Sequence, residues 1–435
     1  MSAPGKKIVF IGGGSTQFAP GLIADFIRTK DLQGGTIVLV DLDADKLETV
    51  YQLGLRLIEA GRADYSLEWA TDRRAALSGA DFVIVSVEIE RMATWEQDRT
   101  IPEIFGIRQA LGENGGPGGL FHALRQIPPI VEICRDIERL CPGALVLNLS
   151  NPMSRILQAV YDNTKVDFVG LCHEIAGGND YLAQLLGRPK EDLTVVAAGL
   201  NHFSWYLRIN DARTGEDLYP RVRDLVPSNV NRDRLLVADM LRLTGYLSIT
   251  GDSHMGEYLK DGHIRRSSWA PEIEPLDFFA WYMAYMKVQQ ERIAELVAGT
   301  TPAASFLDKP SGEIVTDIIS AVVCRRKQGF DAFNLPNDGY IPNLPKDCIV
   351  EVPGWIDGEK FGGRPVEPLP DVLAALCGRQ AAIQKLCARA AMDGDRRAAL
   401  EALLLDPIVP DRFVAEKCLE AMLEANRAYL PRFFD

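Results

Sequence analysis

Residues 6–27, KKIVFIGGGSTQFAPGLIADFI, decide the fold class of this 435-residue chain. A β-rich apolar run leads into three consecutive glycines, and residues 22–27 then show the apolar spacing of a helix. Gly12 permits a tight turn, Gly14 lets a pyrophosphate approach the backbone, and the helix N-terminus supplies free N–H groups. The stretch therefore predicts the strand, turn and helix of a dinucleotide-binding fold.

A second apolar run, in GTIVLVDLD at 35–43, ends in Asp41. This acidic residue is placed to accept hydrogen bonds from a ribose diol. This carboxylate favours NAD over NADP. The fingerprint is imperfect, because Gln17 replaces the third glycine and Asp41 follows later than the roughly 20-residue spacing. A glycine-rich turn alone could be a plain strand–helix connection, but the combination favours dinucleotide binding. The predicted cofactor contacts here are Gly12, Gly14, Ser15, Thr16 and Asp41.

Three more buried-type strands, ADFVIVSVEI at 80–89, GALVLNLSNP at 143–152 and VDFVGLC at 166–172, alternate with helix-like segments. The chain is therefore predicted to be α/β, with an N-terminal Rossmann-like parallel sheet. Ligands bind beyond the carboxyl ends of such strands. The polar residues expected to meet in one crevice there are Asn148, Ser150, Asn151 and Cys172.

Beyond residue 195 the pattern changes to mixed strands near 195–210 and then mostly to helices. We expect a Rossmann-like domain over 1–195 and an α+β, mostly helical domain over 196–435, as in lactate and malate dehydrogenases, with the crevice between them. The 334–353 stretch is predicted to be a structured loop and an edge strand. LGENGGPGGLF, at 111–121, is predicted to be a flexible cover that is too glycine-rich for a helix.

Composition excludes some functions. A net charge of -13 argues against a nucleic-acid partner. No apolar run reaches the roughly 18 residues of a membrane span, and the N-terminus lacks a signal-peptide layout, so we expect a cytoplasmic protein with no membrane partner. The eight cysteines lack CxxC spacing, which indicates that most of them are buried small hydrophobes in a reducing compartment and not a disulfide framework.

Cys172, in VGLCHEIAGGN, and His202, in AAGLNHFSWYL, each end an apolar run. A thiolate and an imidazole are metal ligands, and two of them leave room for substrate oxygens and water. The alternative for these residues is a core cysteine and a hydrogen-bonded loop histidine. The residues alone leave both interpretations open.

Seven segments together resemble glycoside hydrolase family 4, the NAD- and divalent-metal-dependent glycosidases, over nearly the whole chain. They are IGGGSTQFAPGL, GENGGPGGLFHALRQIPPI, NLSNPMSRI, VGLCHEI, AGLNHFSWYL, GDSHMGEYL and NLPNDGYIPNLPKDCIVEVP. The resemblance implies NAD and a metal, typically manganese, as cofactors. It also implies a small glycoside as substrate and a homodimer or homotetramer.

The resemblance further implies site residues. Cys172 and His202 would bind the metal, and His173 would lie beside the anomeric carbon and its leaving group. Asp252 would be the catalytic base, although some relatives use a tyrosine. The remaining implied contacts are Tyr258 as an alternative base, Asn151 and His254 for the sugar, and Asn148 for the cofactor.

The implied reaction explains why a hydrolase would need a nicotinamide. Hydride transfer from sugar C3 to NAD⁺ gives a ketone, which acidifies the hydrogen at C2 so that a base can remove it while the metal stabilises the enediolate. Elimination expels the aglycone from C1, water adds, and the hydride returns, so that NAD⁺ is regenerated.

The residues after the metal cysteine indicate the substrate within this family. Cys-His members resemble enzymes for unphosphorylated α-glycosides, and the CHEI sequence is closest to α-galacturonidases and α-galactosidases. A uronide would need a cationic clamp, which HIRRSS offers in Arg265 and Arg266, with Arg91 and Arg99 as alternatives. A related α-galactosidase or α-glucosidase is the next candidate.

A dinucleotide-binding fold is also compatible with two other functions. An NAD-dependent dehydrogenase of the lactate and malate type would need no Cys-His metal pair and would release NADH in proportion to product. A redox-sensing NAD-binding regulator that uses Cys172 as a thiol switch would leave the Asn-Pro turn, His202 and GDSHMGEYL without a role.

Overall fold

The computed structural model describes residues 5–434. Within this range the strands are β1 Lys7–Ile11, β2 Gly35–Val40, β3 Tyr65–Ala70, β4 Phe82–Val85, β5 Leu145–Asn148, β6 Phe168–Gly170, β7 Leu193–Leu200, β8 Phe203–Asp211, β9 Lys327–Pro336, β10 Ile349–Asp357 and β11 Lys360–Gly363. The first seven helices are α1 Ala19–Arg28, α2 Ala44–Gly61, α3 Arg73–Leu77, α4 Arg91–Ile104, α5 Gly116–Leu140, α6 Met153–Asn163 and α7 Glu174–Leu186. The others are α8 Tyr219–Leu225, α9 Leu235–Thr244, α10 Asp252–Met255, α11 Phe278–Ala298, α12 Val315–Val323, α13 Asp371–Asp393, α14 Arg396–Leu405 and α15 Arg412–Ala425. No helix within this range is both long and apolar enough to cross a bilayer.

Six parallel strands form one half of the sheet in the order β3-β2-β1-β4-β5-β6. This is the strand order of dinucleotide-binding folds, and the predicted fold class is confirmed. The sequence did not predict β3. Leu67 is the one buried residue of this strand, because β3 lies at the edge of the sheet. The strand therefore lacks the continuous apolar run by which the other strands were predicted.

The sheet continues without a break into antiparallel strands. Gly170 of β6 pairs with Asn334 of β9, and β10, β7 and β8 follow, with β11 added to β10. The sheet thus extends past residue 195, and the domain division placed there stays a prediction.

The predicted edge strand within 334–353 is wrong in one respect: β10 lies inside the sheet, between β9 and β7. Its prolines suggested an edge because proline cannot donate to a ladder. The register with β9 shifts between Val352 and Gly354, so that Pro353 falls at an irregularity where no regular hydrogen bond is required.

Both faces of the sheet are covered. On β1, Ile8 and Phe10 join a core with the apolar faces of α1 and α2. Val9 and Ile11, which point the other way, join a second core with α5, α6 and α13. This alternation buries every residue of the strand except the first, which is how the strand supports a rigid turn at its carboxyl end.

The prediction of a flexible, non-helical cover at 111–121 is wrong. All of these residues are buried, and α5 begins within them at Gly116. The glycines permit close packing: a Cβ on Gly115 would lie 2.2 Å from the Glu257 carbonyl oxygen, and one on Gly119 would lie 2.3 Å from the Asn114 carbonyl carbon.

Two buried carboxylates hold this turn. Glu257 Oε1 accepts hydrogen bonds from the backbone N–H groups of Glu113 (2.6 Å), Asn114 (2.8 Å) and Gly115 (3.3 Å). Asp406 Oδ2 accepts from the Gly116 N–H at 3.1 Å. Carboxylates satisfy the free N–H groups of a helix N-terminus and match its dipole. The start of α5 is therefore fixed by residues far along the chain.

Gly12→Ala tests the turn after β1. Gly12 has φ +90°, and an added Cβ would lie 1.9 Å from the Ser86 carbonyl oxygen, so we expect a loss of at least about 2 kcal/mol in unfolding free energy. Gly378→Ala in α13 is the control, because its Cβ would meet nothing within 4 Å. Urea unfolding without cofactor measures both, and a Gly12→Ala variant as stable as the control would contradict this account.

Asp406 gives a pH prediction. Burial raises the pKa of its carboxyl to about 6, so this group stabilises the fold at pH values below its ordinary pKa near 4 and loses that contribution as the pH rises through 6. The unfolding free energy of the wild type, taken relative to that of Asp406→Asn, should therefore fall between pH 4 and pH 7, by on the order of 2 kcal/mol. A difference that stays constant in urea unfolding over this range would contradict the assignment.

Candidate functional site

The glycine turn has the predicted geometry. It follows β1 at the carboxyl edge of the sheet, where the N–H groups of Gly12 and Gly13 both bond to the Val40 carbonyl oxygen at the end of β2. The Gly14 N–H donates to Asp41 Oδ2 at 3.1 Å, and a Cβ on Gly14 would lie 2.9 Å from that oxygen. The turn and the acidic residue are thus brought together.

The residues after the glycines are also available to a ligand. Ser15 and Thr16 are partly exposed, and Ser15 Oγ accepts from the Gln17 N–H at 3.3 Å. Gln17, the departure from the glycine fingerprint, accepts a 3.1 Å hydrogen bond from the Tyr282 hydroxyl on α11. The side chain that replaces the third glycine therefore links the turn to a helix of the second half of the chain.

Cys172 and His202 meet at the same edge of the sheet. Cys172 comes two residues after the end of β6, and His202 occupies the tight turn between β7 and β8 with φ +58°. The distance between Cys172 Sγ and His202 Nε2 is 3.3 Å. A left-handed backbone is unusual outside glycine, and here it belongs to the residue whose ring faces the thiol.

Burial keeps this pair uncharged when no cation is bound. It raises the pKa of the Cys172 thiol well above its usual value, and the Glu351 and Glu174 carboxylates act in the same direction. Burial and the neighbouring His254 and His173 lower the pKa of His202 well below its usual value. A thiol must lose its proton to ligate a metal, and a divalent cation beside these carboxylates would favour that loss.

No group of three or more His, Cys, Asp or Glu side chains in residues 5–434 is arranged to hold a metal. The donor set of Cys172 and His202 is one sulfur and one imidazole nitrogen, both of which ligate divalent transition metals. The convergence of these two atoms fits the predicted ion with open positions for substrate oxygens.

His254 extends this cluster. Its ring stacks on the ring of His202 with 4.3 Å between centroids. Its Nδ1 is 3.7 Å from Glu257 Oε2 and its Nε2 is 4.0 Å from Glu174 Oε1. Burial opposes its charge, but Glu257, Glu174 and Glu113 raise its pKa to about 9, so that His254 carries a proton at neutral pH.

His173 points toward solvent and has a partner that the sequence did not indicate. Its Nδ1 lies 3.1 Å from Glu313 Oε1, in the segment before α12. This contact raises the pKa of His173, and the Glu174 carboxylate acts in the same direction. The pair can therefore hold a proton at the mouth of the site.

The structure places Asp252 differently from the other predicted catalytic residues. Its carboxylate is fully buried and accepts hydrogen bonds from the N–H groups of Leu236 and Val237, both at 2.9 Å. It therefore caps α9. Tyr258 is buried beside Phe203, and its hydroxyl donates to the Asn201 carbonyl oxygen at 3.4 Å, next to the metal pair.

Two asparagines lie at the carboxyl end of β5, as predicted: Asn148 is its last residue and Asn151 follows in the turn. Asn148 is fully buried, and its amide donates to the Ser150 carbonyl oxygen at 3.0 Å, so that this side chain holds the turn. Asn151 is partly exposed, and its Oδ1 accepts from the Met153 N–H at 3.3 Å. Asn151 thus keeps its amide N–H₂ available to the crevice.

The four candidate arginines differ in their environments. Arg91 is paired with Glu113 (2.7 Å) and Glu88 (3.3 Å). Arg99 stacks on Phe279 at 4.9 Å. The other two are adjacent: Arg266 is exposed, whereas Arg265 is partly buried and donates to the Leu276 carbonyl oxygen at 2.7 Å. Burial raises the pKa of Asp252, and the positive charge of Arg265 opposes this shift.

Comparison with known proteins gives consistent matches. The model of the family 4 glycosyl hydrolases matches residues 7–188, and the model of the family 4 glycosyl hydrolase C-terminal domain matches residues 197–409. An alpha-glucosidase of Erwinia rhapontici is 33% identical over 98% of this chain and 98% of its own. An alpha-galacturonidase of Bacillus subtilis (strain 168) is 30% identical over 96% of this chain and 97% of its own.

A solved structure shares the fold. It is a 6-phospho-alpha-glucosidase from gut microorganisms, in complex with NAD and Mn²⁺, with a TM-score of 0.83 and 23% identity over 98% of this chain and 99% of its own. Because the two family models together match most of residues 7–409, the family predicted from the motifs is confirmed, and the chain belongs to the family 4 glycosyl hydrolases.

Proposed function

We propose that this protein hydrolyses the O-glycosidic bond of an unphosphorylated α-glycoside, with NAD and a divalent metal such as Mn²⁺ as cofactors. The observation that carries the proposal is the 3.3 Å contact of Cys172 Sγ with His202 Nε2 at the sheet edge that also carries the glycine turn. An alpha-glucosidase and an alpha-galacturonidase among the relatives, and the NAD and Mn²⁺ of the related structure, support it.

The cofactors would occupy two neighbouring places. Cys172 and His202 would hold the metal, and the predicted nucleotide contacts would hold NAD, with Asp41 on the ribose. When bound, NAD⁺ supplies a reversible oxidation of sugar C3 and the metal supplies a Lewis acid for the adjacent oxygens. A homo-oligomer is part of the proposal, as is a cytoplasmic location, because a reducing compartment protects a thiolate ligand.

The protein's own residues would position the sugar and move its protons. The Asn151 amide can donate to a sugar hydroxyl. The protonated His173, held by Glu313, can donate its proton to the departing aglycone oxygen. Because Asp252 caps α9, we propose Tyr258 as the base that takes the C2 proton, since its hydroxyl contacts the carbonyl oxygen of Asn201, the residue before His202.

The proposed sugar is an α-hexuronide, with α-galacturonide as the first choice. Arg265 supports it, because this guanidinium is partly buried and is held in place by a 2.7 Å hydrogen bond to the Leu276 carbonyl oxygen. A neutral α-hexoside is the second candidate. The pairing of Arg91 with Glu88 and Glu113 favours it, because this pairing leaves one cation fewer for a substrate carboxylate.

Hydrolysis of 4-nitrophenyl glycosides tests the proposed function. The panel comprises α-galacturonide, α-glucuronide, α-galactoside, α-glucoside and 6-phosphoglucoside, each with NAD⁺, Mn²⁺ and a thiol reductant present or omitted. We expect 4-nitrophenol release from an unphosphorylated α-glycoside only when all three are present, without net NADH. NADH formed in proportion to product would indicate a dehydrogenase instead.

A pair of neighbouring variants tests the uronide clamp. Arg265→Gln should raise KM for the α-galacturonide about 10- to 100-fold, because a charge-assisted hydrogen bond contributes roughly 1.5–3 kcal/mol. Arg266→Gln should leave KM unchanged, since this side chain is exposed. Equal effects of the two variants, or a KM effect of Arg265→Gln that is as large on a neutral α-galactoside, would contradict the clamp.

A further inference from the structure

A buried carboxylate on β10 lies beneath the proposed metal pair. Glu351 is 3% exposed, and both of its oxygens accept hydrogen bonds. Oε2 accepts from the Ser204 hydroxyl at 2.6 Å. Oε1 accepts from the amide groups of Asn334 at 3.0 Å and Asn201 at 3.2 Å. The buried carboxylate is thus satisfied by three hydrogen-bond donors and is not an unpaired buried charge.

The partners of Glu351 belong to the segments that carry the two ligands. Asn201 directly precedes His202 in the turn between β7 and β8, and Ser204 is the second residue of β8. Asn334 also donates to the carbonyl oxygen of Gly170, two residues before Cys172, at 3.5 Å. Glu351 itself pairs with Gly199 in the sheet. One side chain therefore joins the strand that precedes Cys172 to the turn that bears His202.

Asn334 makes the connection to the strand that precedes Cys172. Its amide donates to Glu351 Oε1 at 3.0 Å and to the Gly170 carbonyl oxygen at 3.5 Å. An amide N–H₂ group has two hydrogens, so it can serve both acceptors at once. The Glu351 carboxylate decides which way this amide faces, because it can only accept.

The acidic side chains around the pair point to a cation. Glu351 is buried, and Glu174 Oε1 lies 4.0 Å from Nε2 of His254, whose ring stacks on that of His202. Buried negative charge is costly unless a cation or a hydrogen-bond donor is close to it. The surroundings of the pair thus favour a divalent cation over an empty site. Glu351 lies near the end of NLPNDGYIPNLPKDCIVEVP, one of the segments that carry the family resemblance, and the sequence alone did not indicate its function.

We propose that Glu351 is a positioning residue for the metal site: through Asn334 it fixes the end of the strand that precedes Cys172, and through Asn201 and Ser204 it fixes the turn that presents His202. The proposal rests on the proposed function, in which Cys172 and His202 are the ligands. Outer partners of metal ligands typically change metal affinity 10- to 100-fold when they are removed, which sets the expected size of the effect at roughly this range.

Metal binding, measured apart from catalysis, tests this role. Mn²⁺ affinity is obtained from the paramagnetic resonance signal of free Mn²⁺, and the sulfur-to-cobalt charge-transfer absorption of the Co²⁺-loaded protein reports a bond to Cys172. Glu351→Ala should weaken Mn²⁺ binding about 10- to 100-fold and alter the cobalt band. Glu351→Gln keeps the shape but exchanges an acceptor for a donor, so we expect a smaller loss in the same direction.

Two further variants separate the outcomes. Cys172→Ser should abolish the cobalt band, and a retained band with unchanged affinity would overturn the proposed metal pair itself. Asp25→Asn is the matched control, because Asp25 is also a buried carboxylate with several donors, including the Ser311 N–H at 3.1 Å, but it lies on α1. We expect this control to leave Mn²⁺ affinity unchanged.

The role of Glu351 would be overturned if Cys172→Ser lost the band while both Glu351 variants bound Mn²⁺ like the wild type. It would equally be overturned if Asp25→Asn weakened binding as much as Glu351→Gln, because the loss would then reflect general destabilisation. Should Glu351→Ala fail to fold, Glu351→Gln provides the same comparison.

Discussion

The contact between a thiol and an imidazole at the carboxyl edge of one sheet is the constraint on which the rest of the site depends. Cys172 and His202 come from strands that are not neighbours, since β9 and β10 lie between β6 and β7. Their 3.3 Å approach requires the left-handed turn at His202 and the continuous sheet beneath it. A break in that sheet would separate the two atoms, whatever the local sequences.

Buried acids dominate the surroundings of this contact, and each is stabilised in a different way. Glu257 is bonded to the backbone N–H groups before α5, Glu351 to two amides and a hydroxyl, and Glu113 to Arg91. Burial of a carboxylate costs free energy unless such partners are present. The bonds therefore stabilise the fold, and the carboxylates that they hold give the site a negative potential. That potential accounts for the proton on His254 and for the suitability of the site for a cation.

The sequence predicted what local patterns determine. The apolar runs gave β1, β2 and the strands β4 to β6, and the glycines with Asp41 gave the turn, because these features depend on near neighbours. The glycine-rich 111–121 stretch was assigned wrongly, since its helix starts on backbone groups bonded to Glu257 and Asp406, more than 140 residues away. Glu313 and Glu351 were missed for the same reason: their partners His173 and Ser204 are 140 and 147 residues distant. The assignment of Cys172 and His202 as metal ligands came from the family resemblance, and the structure adds the 3.3 Å distance between their side chains.

The most direct test of the account is solvent-deuterium incorporation during turnover. The best substrate is hydrolysed in D₂O with NAD⁺, Mn²⁺ and a thiol reductant, and the released sugar is analysed by nuclear magnetic resonance. Removal of the C2 proton by a side-chain base predicts deuterium at C2 of the product. A product that carries only hydrogen at C2 would show that the bond is cleaved without this step and would contradict the proposed mechanism.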